Sequence, residues 1–242
     1  MLHTALLRKL ALIDRLTDAE TEAAIALCSQ VCLVPRKKDV VSEGTNPDRI
    51  HIVLSGWAAR YNILRDGSRR ITAFLLPGDF CDIHSTVLHR MDHSIVALTD
   101  CQIAFVDPGK IDEIASRTPA LTRAFWRSTL VDEAILRRWL VKGGRSEALE
   151  AAGHLLSELY LRARLVGLAT DNMHELPITQ QEIADATGLT PVHVNRVLRK
   201  LRENDVATIK QGALMIHDID ALHRASGFDP NYLHLNAFDS RA

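Results

Sequence analysis

Residues 81–98, CDIHSTVLHRMDHSIVAL, place one cysteine, three histidines and two aspartates within thirteen positions before the chain turns apolar. Imidazole, thiolate and carboxylate are the ligand set of transition metals, so a metal site is the first chemistry such a stretch suggests. A small-molecule pocket and an ordinary surface loop are the other two readings. A second stretch, TPVHVNRVLRKLRENDVATIK at 190–210, carries five Lys/Arg against two acids in a chain of net charge -1. A local basic excess of this kind is where a nucleic-acid phosphate binds. The four cysteines (Cys28, Cys32, Cys81, Cys101) form no disulfide scaffold. Cys28 and Cys32 are also one residue too far apart for a CxxC knuckle, so all four are expected as free thiols.

The elements around these stretches determine what each can do. At 242 residues the chain has room for two modest domains, and no apolar run approaches the ~20 residues of a bilayer span. Arg8, Lys9, Asp14 and Arg15 interrupt the apolar N-terminus, which is read as a retained amphipathic helix and not a signal peptide. A cytoplasmic protein is the expectation. Residues 4–28 read as two helices, the second opened by a Thr17–Glu20 capping box. From 31 to 106, short β-branched runs alternate with turn signals at Asp66-Gly67 and Pro77-Gly78-Asp79, the pattern of a small antiparallel barrel or jelly roll. Asp107-Pro108 starts a helix.

A long helix is predicted from Pro119, with Leu121, Phe125, Ser128, Ile135 and Trp139 along one face. That stripe is assigned to a partner helix; packing on the chain's own barrel is the alternative. Gly143-Gly144 is expected to end this helix and mark a domain boundary. Thr179-Gln180-Gln181-Glu182 is a second capping box, Gly188 ends the helix it opens, and Thr190-Pro191 opens the next. Two short helices about a glycine turn form a helix-turn-helix, followed by a two-stranded wing. Thr179, Gln180, Thr190, Pro191, His193, Arg196, Arg199 and Lys200 are the expected DNA contacts. Of these, His193 and Arg196 are assigned to base edges, and Thr190 and Gln180 to phosphates.

GSRRITAFLLPGDF at 67–80 and ITQQEIADATGLTPVHVNRVLRKLR at 178–202 resemble the Crp/Fnr family of bacterial transcription regulators. The likeness covers nearly the whole chain and implies an α+β fold in four parts. These are a jelly-roll sensor at 1–118, a dimerisation helix at 119–143, a winged helix-turn-helix at 144–227 and a tail at 228–242. It implies a homodimer on a near-palindromic promoter site, contacting RNA polymerase.

In family members that bind cyclic nucleotides, a Gly-Glu pair holds the ribose and an Arg-Ser pair grips the phosphate. The matching residues here are Cys81-Asp82 and His93-Ser94. Asp79, Cys81, Asp82, His84, His93 and Ser94 are therefore read as a degenerate effector pocket. Histidine lacks the bidentate fork that suits phosphate, which argues against cyclic AMP. The aspartate keeps the capacity to accept from a hydroxyl. No cysteine precedes Cys28, which argues against an iron–sulfur cluster. No cofactor and no metal are expected, and the effector is left unidentified. A cyclic-nucleotide or metal sensor of the same fold, and a cupin-like metalloenzyme using His84, His89 and His93, are the competing readings. The second is disfavoured because the barrel region has no His-x-His pair. An enzyme is not expected, for no nucleophile–base arrangement is visible.

Overall fold

A computed structural model describes residues 3–12, 15–170 and 172–235. Two N-terminal helices, α1 (Thr4–Leu10) and α2 (Asp18–Ala26), precede the strands. The Thr17–Glu20 capping box forms at the start of α2, as its spacing predicts. Seven strands follow: β1 (Val31–Val34), β2 (Asp39–Val41), β3 (Ile50–Ser55), β4 (Ala58–Ile63), β5 (Arg69–Leu75), β6 (Ser94–Ala97) and β7 (Cys101–Val106). They form two antiparallel sheets, ordered β1-β7-β3 and β2-β6-β4-β5. Val34, Val41, Val53, Leu75, Ile95 and Ile103 come from both sheets and close into one cluster, the interior of a jelly roll.

The β4–β5 hairpin turns at Asp66-Gly67, where the Asp66 carboxylate accepts from the Ser68 N–H at 2.9 Å. Gly78, at φ +87°, turns the chain after β5 directly beneath α1. A Cβ there would lie 2.7 Å from the Ala5 carbonyl, so only glycine allows this approach. The three-residue β2 was not predicted, since its pairing with β6 is set by a partner more than fifty residues away.

Asp107 caps α3 (Pro108–Arg117) by accepting from the Gly109 N–H. Two helices then follow, α4 (Pro119–Arg145) and α5 (Ala148–Leu165). The predicted stop at Gly143-Gly144 is wrong. α4 continues through both glycines to Arg145, because glycine weakens a helix by roughly 1 kcal/mol without forbidding it.

The facing of α4 also needs correction. Leu121 and Phe125 pack against Leu6, Leu10 and Phe80, and Ile135 against Phe228 and Leu233. Trp139 donates its indole N–H to Glu158 at 2.9 Å, and the Ser128 hydroxyl bonds the Ala124 carbonyl of its own helix. The stripe assigned to a partner is thus covered by this chain. The opposite face shows Trp126, Leu130, Leu140 and Val141 to solvent, at 59–79% exposure.

The C-terminal part contains β8 (Met173–Glu175), α6 (Gln180–Thr187), α7 (Pro191–Glu203), β9 (Ala207–Lys210), β10 (Ala213–Ile216) and α8 (Ile219–Ser226). The wing has three strands, ordered β8-β10-β9, and not the two predicted. Through residue 235 the tail packs against α4 and α5. Phe228 and Leu233 pack beside Ile135, and the Tyr232 hydroxyl donates to Glu158 at 2.8 Å. Residues 236–242 of the predicted tail lie outside the described residues.

Candidate nucleic-acid interface and sensor cleft

The helix-turn-helix is held by local chemistry at each of its ends. Thr179 accepts from the Glu182 N–H at 3.2 Å while the Glu182 carboxylate accepts from the Thr179 N–H at 2.7 Å. Gly188, in the left-handed region at φ +75°, closes α6 by donating its N–H to the Ala184 carbonyl. Thr190 caps α7 by accepting from the His193 N–H, with Pro191 at the first helical position. Ile183, Ala184, Val194, Val197 and Leu201 are buried between the two helices and fix their angle.

This leaves every predicted DNA-contacting side chain exposed: Thr179, Gln180, Thr190, Pro191, His193, Arg196, Arg199 and Lys200. Gln180 also accepts from Asn195 at 3.3 Å, tying the start of α6 to the outer face of α7. Sequence reasoning passed over Asn195, although its place beside Arg196 was the available signal. Arg199 lies 3.8 Å from Glu203, which tempers its charge. The start of α7 is thus exposed, and among the described residues Arg196 behind it has no ion pair to offset its charge.

The sensor side has a cleft of about 430 Å³ between β4, the 83–93 loop, α4 and α5. Its polar lining is mostly paired. The Arg60 guanidinium contacts Asp132 at 2.8 Å and donates to the Cys81 and Phe80 carbonyls. Arg162 joins Asp79 at 3.1 Å and Glu158 at 3.2 Å, and Lys9 also pairs with Asp79. Burial would raise the Asp79 carboxyl, but Lys9 and Arg162 outweigh it and hold the group below the usual carboxylate range.

The six predicted pocket residues do not converge. Asp79, His84 and His93 line the cleft. Asp82 is turned away and fully buried, and it accepts from the His51 backbone N–H at 2.7 Å and lies 2.6 Å from His51 Nδ1. The expectation that Asp82 is available to a ligand hydroxyl is therefore corrected. Ser94 accepts from the Glu43 N–H, and Cys81 is buried, its thiol pushed well up by desolvation.

The loop instead brings together His84, Asp92 and His93, which can each offer one ligating atom within 4.8 Å of the others. The two imidazole rings are 5.5 Å apart, centre to centre. Burial, with Arg60 adding to it, lowers both below the ordinary histidine value. His89, the third histidine of the loop, is exposed and apart from them.

Two domain families match the chain: the cyclic nucleotide-binding domain over residues 32–118 and the Crp-like helix-turn-helix domain over 153–225. The nitrogen fixation regulation protein FixK of Bradyrhizobium diazoefficiens is 33% identical over 182 residues, 74% of each chain. The transcriptional activatory protein AadR of Rhodopseudomonas palustris is 30% identical over 222 residues, 90% of this chain and 91% of that one. Among solved structures, FixK2 from Bradyrhizobium japonicum matches with a TM-score of 0.73 at 23% identity, over 81% of this chain and 96% of that one. Among the described residues no helix is long and apolar enough to cross a membrane.

Proposed function

The chain belongs to the Crp/Fnr family of DNA-binding transcription regulators, and on that premise we propose that it works as a homodimer on a near-palindromic promoter site. The observation that carries this reading is α7: an N-capped helix whose exposed first turns present His193 and Arg196, with Lys200 one turn behind. Residues early in a recognition helix sit deepest in the major groove, where arginine grips guanine O6 and N7 together. Thr179, Gln180 and Thr190, at the starts of α6 and α7, bind the flanking phosphates.

The dimer forms through the outward face of α4, where Trp126, Leu130, Leu140 and Val141 lie open. A two-fold pair then sets two copies of α7 about one DNA turn apart, roughly 34 Å. Contact with RNA polymerase, and action in the bacterial cytoplasm, belong to the same proposal and rest on kinship.

A cyclic nucleotide does not fit the cleft. Asp82 is spent on His51, Ser94 on the Glu43 N–H, and His93 stands where the resemblance puts the phosphate-gripping arginine. Arg60, a guanidinium lining the cleft, is already paired with Asp132.

The test is a selection of bound genomic fragments with the full chain, followed by affinity measurements on the selected site. Arg196→Ala should lose about 1–3 kcal/mol of discrimination at one base position. Lys200→Ala should weaken all sequences evenly and lower the salt slope by about 1. If both variants bind as the parent does, α7 is not the reading element.

A further inference from the structure

We propose that His84 and His93, the latter oriented by Asp92, bind a divalent transition cation of the zinc or nickel class. His84 comes from the 3-10 turn Ile83–Thr86 and His93 from the residue before β6, so folding of the loop brings together groups nine positions apart. Asp92 Oδ1 lies 2.6 Å from His93 Nδ1. An ionised carboxylate only accepts, so Nδ1 carries the proton and Nε2 of the neutral ring presents a bare lone pair. A carboxylate behind a histidine in this way is the usual means of orienting a metal-ligating imidazole. Asp92, so engaged, stays behind the ring, and water supplies the remaining ligands.

The Nε2 atoms of both His84 and His93 are buried with no hydrogen-bond partner. A buried polar atom left unpaired costs about 1–3 kcal/mol, and a coordinate bond relieves that cost at both rings.

The other groups facing the cleft argue against an anion. Arg60, Arg162 and Lys9 are each engaged by Asp132, Asp79 or Glu158, and Arg127 donates to the Leu233 and His234 carbonyls. An incoming phosphate or carboxylate would have to break those pairs, whereas a cation meets two unpartnered nitrogens with a carboxylate behind one of the rings. The mixed nitrogen–oxygen set suits zinc, nickel, cobalt or copper and not magnesium, which prefers oxygen throughout. The cleft has room for the waters that complete the coordination. Only the consequence of binding for transcription rests on the regulator reading; the binding itself does not.

The test is calorimetric titration of the chelator-stripped full chain with Zn²⁺, Ni²⁺ and Mg²⁺, each alone and without DNA. One Zn²⁺ per chain and no Mg²⁺ binding are expected. Asp92→Asn should weaken Zn²⁺ by about 10- to 100-fold, and His84→Ala and His93→Ala by at least as much. His89→Ala should match the parent. Metal-free melting curves establish that each variant folds, with His84→Gln and His93→Gln as replacements where alanine does not. Zn²⁺ binding that survives loss of both His84 and His93, or absence of stoichiometric binding by the parent, overturns the proposal. Promoter binding by the metal-free chain is measured separately, so failure of the regulator reading cannot be mistaken for failure of this one.

Discussion

Glu158, fully buried on α5, meets Arg162, the Trp139 indole and the Tyr232 hydroxyl. Burial raises its pKa, and those three partners offset only part of the rise. Arg162 bridges Glu158 and Asp79, so removing it leaves Glu158 buried with neutral donors alone and Asp79 with Lys9 as its cation. Arg162→Met should therefore cost about 3–5 kcal/mol in urea unfolding, the range for breaking a buried pair from one side. Glu158→Gln should cost clearly less, because an amide oxygen still accepts from Trp139 and Tyr232. Equal losses in the two variants would show that the charge at 162 does not matter.

His154 sets a pH dependence in the same region. Burial, with Lys142 and Arg138 adding, lowers it from 6.5 to about 4. The unfolded ring takes up a proton near 6.5 and the folded ring only near 4. The stabilisation is thus complete above 6.5 and is lost as pH falls through that window, amounting to about 3 kcal/mol in all. The ring lies between Phe228 and Tyr232, so His154→Phe keeps the packing and removes the proton site. Its stability should fall less steeply than the parent's between pH 6.5 and 4, and parallel curves would rule the assignment out.

At the scale of elements, α4 separates what patterning can read from what it cannot. The helix carries two apolar stripes on opposite faces, one of Leu121, Phe125 and Ile135, the other of Trp126, Leu130 and Leu140. Periodicity identifies the helix but cannot say which stripe meets a second copy, and the stripe chosen from sequence proved to be the inner one. Leu130→Asp with Leu140→Asp should shift the chain from dimer to monomer in sedimentation, whereas Ile135→Ala should leave the dimer intact and cost about 2–5 kcal/mol of stability. A dimer that persists in the double variant removes this face from the interface.

Features encoded within a few residues were legible: both capping boxes, Thr190-Pro191, the Asp66-Gly67 hairpin and hence which residues α7 leaves exposed. Features needing distant partners were not. β2 and β8 are three residues long, Asp82 is claimed by a histidine 31 positions away, and His84 meets His93 only through the path of the loop. The legible caps have a measurable worth. Thr179→Ala, which removes the hydroxyl closing α6, should cost about 0.5–2 kcal/mol and speed hydrogen exchange in the first turn of α6.

Across the whole molecule, the jelly roll and the winged helix share one core. Trp57, Ile71, Phe74 and Leu76 from the barrel are packed in one cluster with Leu155, Leu159, Ile183 and Val194. The polar rim of this contact is Arg69 of β5, 2.8 Å from Asp185 of α6. Strand β5 therefore lines the sensor cleft through Thr72 and Ala73 while its neighbouring residues hold the helix-turn-helix. A change at the cleft has a direct mechanical route to α6, with no flexible linker between.

The same geometry predicts that the two halves unfold together, giving one calorimetric transition for the full chain. Phe74 is the place to test it, being wholly buried, edge-on to Trp139 at 6.0 Å, with its carbonyl bonded by Arg162. Phe74→Ala should cost about 3–5 kcal/mol. Because the lost contacts lie on the seam, amide protection should fall in α7 as well as in β4. Protection lost from β4 alone would mean that the winged helix stands on its own core.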